Sequence, residues 1–292
     1  GVGEAVKGDI KLHILFSFSI LFCLGCGDID SEGARDSVVI TISGEYNGQP
    51  LSCESEYSDA GEAGNTISIS DFRLYVHDIH VIGADSERVP VELEQSSPWQ
   101  FENVVLLDYE DRTGSCLNGT IETNNQIIGT VPAGTEFQAV TFQLGVPFEL
   151  NHQDQATAAT PLNLTSMFWG WQAGYKFLRL DLNVLEIDDI YRIHLGSTGC
   201  AMDENNLVSS CSHPNRAEVV VENLVSSGGD IVFDLMGLLA GIDVGENDES
   251  TGIGCMSDAS DSDCEPVFEV LGLNLASGVP QQPVNQSVFY GN

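Results

Sequence analysis

The sequence predicts an all-β protein, a largely antiparallel β-sandwich with one or two short helices. Three observations lead there. Val, Ile, Phe and Tyr recur at alternate positions in short runs, the period of half-buried pleated strands. Gly, Asn, Asp and Pro break those runs at close intervals, as turns between strands require. Helical periodicity is scarce along the chain.

The first strand is expected at 38–46 (VVITISGEY), ending in the turn pair Asn47-Gly48. A long run at 66–82 (TISISDFRLYVHDIHVI) follows, then 101–109. Turn signals at Asn118-Gly119 and Pro132-Ala133-Gly134 precede a strand at 136–145. Further strands are expected at 175–187, 190–195, 218–224 and 230–233, with Gly228-Gly229 before the last. The short helices are placed at 161–168 (PLNLTSMF), with Pro at its start, and 234–240 (DLMGLLA), closed by Gly241. The loop at 243–263 is rich in Gly, Asp and Ser and reads as mobile outside a disulfide.

The 292 residues carry 10 Lys+Arg against 44 Asp+Glu, a formal charge of −34. A surface so acidic repels a polyanion, which argues against nucleic acid as a partner. Hydrophobic residues make up 42 %, enough for a packed core.

Lys7 and Lys11 precede an apolar run at 14–24 (ILFSFSILFCL). The run is far shorter than the roughly 20 residues that span a bilayer core, and its basic flank marks a secretory signal. It ends Cys23-Leu24-Gly25-Cys26, which resembles a bacterial lipobox, with Cys23 where Leu is usual. The expected organisation is a lipoprotein-type signal peptide at 1–25, a polar tether at 26–37 beginning with lipidated Cys26, a domain at 38–275 and a tail at 276–292. Such a chain is expected in the periplasm or at the cell surface of a Gram-negative bacterium, as an outer-membrane lipoprotein. It would touch the membrane only through its lipid.

Six cysteines remain in the mature chain: Cys53, Cys116, Cys200, Cys211, Cys255 and Cys264. An even number in an exported chain points to disulfides. Fifteen pairings are possible; short loops favour Cys200 with Cys211 and Cys255 with Cys264, leaving Cys53 with Cys116.

No serine nucleophile elbow, phosphate loop or HExxH pair is present, so no enzyme class is indicated. Asp258, Asp261 and Asp263 lack the Gly and distal Glu of an EF-hand and read as a solvated acidic loop. The histidines offer more, since neutral imidazole is the commonest metal ligand. His77 looks inward beside Tyr75 and Ile79, and strand alternation sends His80 to the opposite face unless a bulge intervenes. His152 and His194 lie at strand ends. Two of the three tryptophans, Trp169 and Trp171, fall in one string at 167–177 (MFWGWQAGYKF).

Seven strings occur in a telling order: 72–78 (FRLYVHD), 106–110 (LLDYE), 145–152 (GVPFELNH), 161–164 (PLNL), 168–177 (FWGWQAGYKF), 194–200 (HLGSTGC) and 255–257 (CMS) with Cys264. Together they resemble the MbnP-like copper-binding family, the metallo-mystery-pair proteins with a four-Cys motif, over roughly residues 37–275. The resemblance implies an exported β-sandwich that binds Cu(I) or Cu(II). It implies a di-haem cytochrome c peroxidase-like partner of the MbnH type, which oxidises a Trp of the copper protein to kynurenine. The matured residue then joins histidines at the metal. On the matching strings the ligand candidates are His152 and His194, then His77. The kynurenine candidates are Trp171 and Trp169, with Trp99 third. Some relatives place the modified Trp two residues before a ligand His, a slot that Tyr75 fills before His77. Cys200, Cys211, Cys255 and Cys264 match the four-Cys motif as two disulfides. The competing reading is a structural or interaction lipoprotein without a functional copper site, with calcium in its acidic loops.

Overall fold

A computed structural model describes residues 1, 3, 33–224 and 230–292; the expected signal run and Cys26 lie outside them. The folded unit extends over Ala34–Asn292. Among the described residues no helix is long and apolar enough to cross a membrane.

Alternation in the sequence becomes alternation in burial. Strand β1 (Arg35–Tyr46) buries Val38, Ile40, Ile42 and Tyr46 on one face. The other main strands are β2 (Glu56–Ala60), β3 (Asn65–Ile82), β4 (Val104–Asp108), β5 (Gln126–Pro132), β6 (Ala139–Leu144) and β7 (Phe168–Gly170). They continue with β8 (Gly174–Val184), β9 (Asp189–Gly196), β10 (Thr198–Met202), β11 (Val208–His213), β12 (Ala217–Glu222), β13 (Asp230–Asp234) and β14 (Phe289–Gly291).

Two sheets form the sandwich. The smaller runs β14-β13-β1-β5, with β1 and β13 parallel and the other pairs antiparallel. The larger is built on β7-β8-β3-β6-β12, with β9 on β8 and β4 on β3. Rings from both close the core: Phe72 of β3 lies 4.8 Å from Phe233 of β13, and Phe142 of β6 lies 5.4 Å from Phe289 of β14. The segment expected as a tail, 276–292, therefore supplies an edge strand and a core ring.

The helices differ from expectation. Leu235–Leu239 forms as anticipated, with Asp234 at its N-cap. The helix expected at 161–168 is a single 3-10 turn, Thr165–Met167, because Phe168 begins β7 and pairs with Tyr175. Two helices without an amphipathic signal appear, α1 (Phe148–Asn151) and Cys264–Val270. The 243–263 loop is tied by internal bonds: the Asp248 amide donates to Asp263 at 3.1 Å and the Gly254 amide to Asn247 at 2.7 Å. Asp261, expected in a solvated loop, is buried and accepts from the Asp263 amide at 3.0 Å.

All three disulfides pair as loop length favoured: Cys53–Cys116, Cys200–Cys211 and Cys255–Cys264. Cys53, Cys116, Cys255 and Cys264 are buried, whereas Cys200 and Cys211 are half-buried on the β10–β11 hairpin.

Candidate metal centre

Strand β3 is buried on both faces through its middle, which breaks the half-exposed pattern of the other long strands. Phe72, Leu74 and Val76 face the sandwich core; Asp71, Arg73, Tyr75 and His77 alternate with them and take the other face. The register fixes their neighbours. Arg179 of β8 stands between Arg73 and His194 of β9, and Asp181 lies opposite Asp71. A buried ionic ladder results. Arg73 pairs with Asp71, Arg179 reaches Asp71 at 3.1 Å and Asp181 at 2.7 Å, and His194 Nε2 lies 2.6 Å from Asp181 Oδ1.

This ladder bears directly on the state of His194. Burial works against a charge on Asp181, but His194 and Arg179 hold its carboxyl down at about 2. Burial depresses His194 below ordinary imidazole, and Asp181 opposes that only in part. The ring is therefore a neutral Nε2–H donor to a carboxylate, which leaves the lone pair on Nδ1. This is the arrangement that orients a metal-ligating histidine.

The segment after β6 covers the face. The Asn151 side chain accepts from the Tyr175 amide at 2.9 Å and donates to the Ala173 carbonyl at 3.3 Å. That pins the 145–152 string to the 168–177 string. Trp169 packs on Gly196: a Cβ there would sit 2.5 Å from Trp169 Cζ3 and 2.8 Å from the Tyr175 carbonyl. Its ring centroid is 6.3 Å from that of His194. Ser257 clamps the other side, donating to the His194 carbonyl at 2.9 Å and accepting from the Gly196 amide at 3.0 Å. Three strings far apart in sequence thus meet beside His194, and the 145–152 string is pinned to one of them through Asn151.

The other two candidate histidines stand on different elements, both within reach of the Arg216 charge. His77 is buried, with Nε2 lacking a hydrogen-bond partner. Burial and then the charge of Arg216 push its pKa down to about 3. His152 places Nε2 3.2 Å from Asn151 Nδ2 and 3.5 Å from Cys211 Sγ. Its Nδ1 is buried without a well-formed bond. Burial lowers its pKa, the Trp171 backbone resists, and Arg216 adds to the lowering. Both rings are neutral at pH 7.

His80 departs from expectation. Thr141 pairs with His80 but Gln143 pairs with His77, so β3 carries an extra residue there, and Asp78 takes a φ of 55°. The bulge returns His80 to the face of His77. Its ring is engaged locally, with Nδ1 3.0 Å from the Asp78 carbonyl.

The three candidate histidines do not close on one point. Among the described residues, the set of three potential ligand atoms within 4.8 Å is His152 with Cys200 and Cys211, and those two sulfurs are bonded to each other. No trio of carboxylates gathers in the same way among the described residues, the acidic loop included. Trp171 is 43 % exposed, while Trp99 is partly buried against the core. Sequence reasoning missed Asp181, Arg179, Arg216 and Asn151. The signal was present at β8, where Lys176, Arg179 and Asp181 are charged residues within a largely apolar strand.

The chain is thus a disulfide-stapled β-sandwich that sets His77, His80 and His194 on the larger sheet, with Trp169 beside His194. It belongs to the MbnP family, whose family model matches residues 35–257. Among solved structures it is similar to MbnP from Methylosinus trichosporium, at 26 % identity and a TM-score of 0.75, covering 88 % of this chain and 98 % of that one. No curated protein matches it.

Proposed function

We propose that the chain is an exported copper-binding protein of the cell envelope, acting in copper uptake, storage or delivery without turnover of its own. The observation that carries this reading is the Asp181–His194 pair beside Trp169: an oriented, neutral imidazole with its lone pair on Nδ1, next to an oxidisable ring. The orphaned buried Nε2 of His77 fits the same chemistry, because a buried imidazole lone pair without a donor is relieved by a metal. His194 would hold the ion together with His152 or His77.

Intact indole has no lone pair to give, since its nitrogen is a donor only. Opening the five-membered ring to kynurenine creates an aryl amine and a ketone, both able to coordinate. Trp169 is the residue we assign to that change, because it already lies against His194; the exposed Trp171 is the other outcome. The oxidant would be a di-haem peroxidase of the MbnH type. The charge of −34 would speed its docking through a basic surface, with association that slows as salt rises. Export and anchoring would follow from the signal run and Cys26. A Cys26→Ser variant should then leave the outer-membrane fraction, and unchanged fractionation would refute the anchor.

Copper titration of the purified chain before and after incubation with the peroxidase and peroxide tests the function. His194→Ala should lose tight binding in both states, and peptide mass spectrometry should place a small mass gain on Trp169. Equal copper affinity of wild type and His194→Ala would reject the site.

A further inference from the structure

The β10–β11 hairpin holds a second candidate site, independent of the ladder around His194. Cys200 and Cys211 are directly paired across the hairpin, with Cα atoms 3.8 Å apart. His152 arrives from α1 with Nε2 3.5 Å from Cys211 Sγ, and the three ligand atoms lie within 4.8 Å of one another. The other two disulfides are buried, whereas Cys211 here is half-buried, so of the three this bond is the one a reductant would meet first. Strand pairing also holds the two cysteines together when their bond is absent. Gln172 ties the hairpin to the covering segment, donating to the Cys200 carbonyl at 2.7 Å.

We propose that reduction of Cys200–Cys211 converts this corner into a two-thiolate, one-imidazole site for a soft cation, with Cu(I) as the probe. A dithiol supplies the two electrons and two protons. The Cys200–Cys211 bond breaks, a disulfide forms in the reductant, and two thiols are left on the protein. Binding of Cu(I) then displaces both thiol protons to solvent, and the lone pair of His152 completes a trigonal set. Thiolate and imidazole are the ligands that select Cu(I) over hard cations. A neutral imidazole has one lone pair. In the reduced protein His152 is therefore committed to the hairpin and withdrawn from the His194 side. Only this last consequence rests on the function proposed above.

The test first alkylates the unreduced full chain to block Cys23 and Cys26, then treats it with a dithiol under anaerobic conditions, removes the reagent and maps newly freed thiols with a second label. It then adds one equivalent of Cu(I) and reads the metal's neighbours by X-ray absorption. Alkylation is expected at Cys200 and Cys211 ahead of the four buried cysteines, and the reduced protein should show two sulfur neighbours where the oxidised protein shows none. His152→Ala should weaken Cu(I) at least tenfold in the reduced state, while the two sulfur neighbours persist in reduced His194→Ala. A nitrogen-only shell in the reduced wild-type protein would overturn the proposal, as would alkylation of Cys53, Cys116, Cys255 or Cys264 ahead of Cys200 and Cys211. These readings need no variant to fold. Loss of binding in oxidised His194→Ala, with reduced binding intact, separates this site from the first.

Discussion

At the scale of single residues, the governing quantity is the protonation of three imidazoles. Burial lowers all three, His77 to about 3. Copper therefore meets lone pairs already free of protons. Affinity, read by competition titration, should begin to fall only at a pH below that of ordinary imidazole, whereas a steep fall through 6.5 would mean that ordinary imidazoles are involved. Stability carries a second signature. The folded-state pKa of His77 lies below that of the unfolded chain, so the unfolded state takes up the proton first. The contribution is complete above about 6.5 and is lost as pH falls from there toward 3. Asp108, raised to about 7 by burial against the pull of Arg73, acts in the opposite sense. The variant difference is thus the clean readout: His77→Gln should lose less stability than wild type between pH 7 and 5 in denaturant titrations. Asp181→Asn removes the carboxylate that fixes the tautomer of His194 and should weaken copper by about 10–100-fold while leaving the fold intact.

At the scale of elements, close packing between strings sets the geometry. Gly196 is small because Trp169 lies on it, so Gly196→Ala should displace that ring and cost about 1–3 kcal/mol, visible as a lower midpoint in thermal melts. The variant should also yield less kynurenine when the peroxidase acts. An unchanged yield would show that the ring's position does not matter. The strands were legible in the sequence because hydrophobic alternation maps directly onto burial, as in β1. The bulge at Asp78 was not, since one extra residue leaves no mark in a period-two pattern; it puts His77 and His80 on one face against expectation. Helices α1 and Cys264–Val270 were equally hidden, being too short for a 3.6-residue period to show. The histidines and tryptophans of the site could be named from their strings. Asp181, Arg179 and Asn151 could not, because their roles arise from register and from contacts between segments distant in sequence.

At the scale of the whole molecule, a strongly acidic surface is held by a core and three staples. Cys53–Cys116 closes the longest loop, 63 residues in sequence separation, and both cysteines are buried. Replacing both by Ala should cost about 2–5 kcal/mol, roughly 1.5 kcal/mol more than loss of the hairpin bond, whose cysteines are only 11 residues apart, as chemical denaturation would show. The most direct test of the account is a crystal structure of the chain loaded with copper, with the ion located by its anomalous scattering. The account predicts the peak at Nδ1 of His194, beside Trp169 and with the Asp181 contact intact. A peak in the 243–263 loop, or no ion near His194, would contradict it.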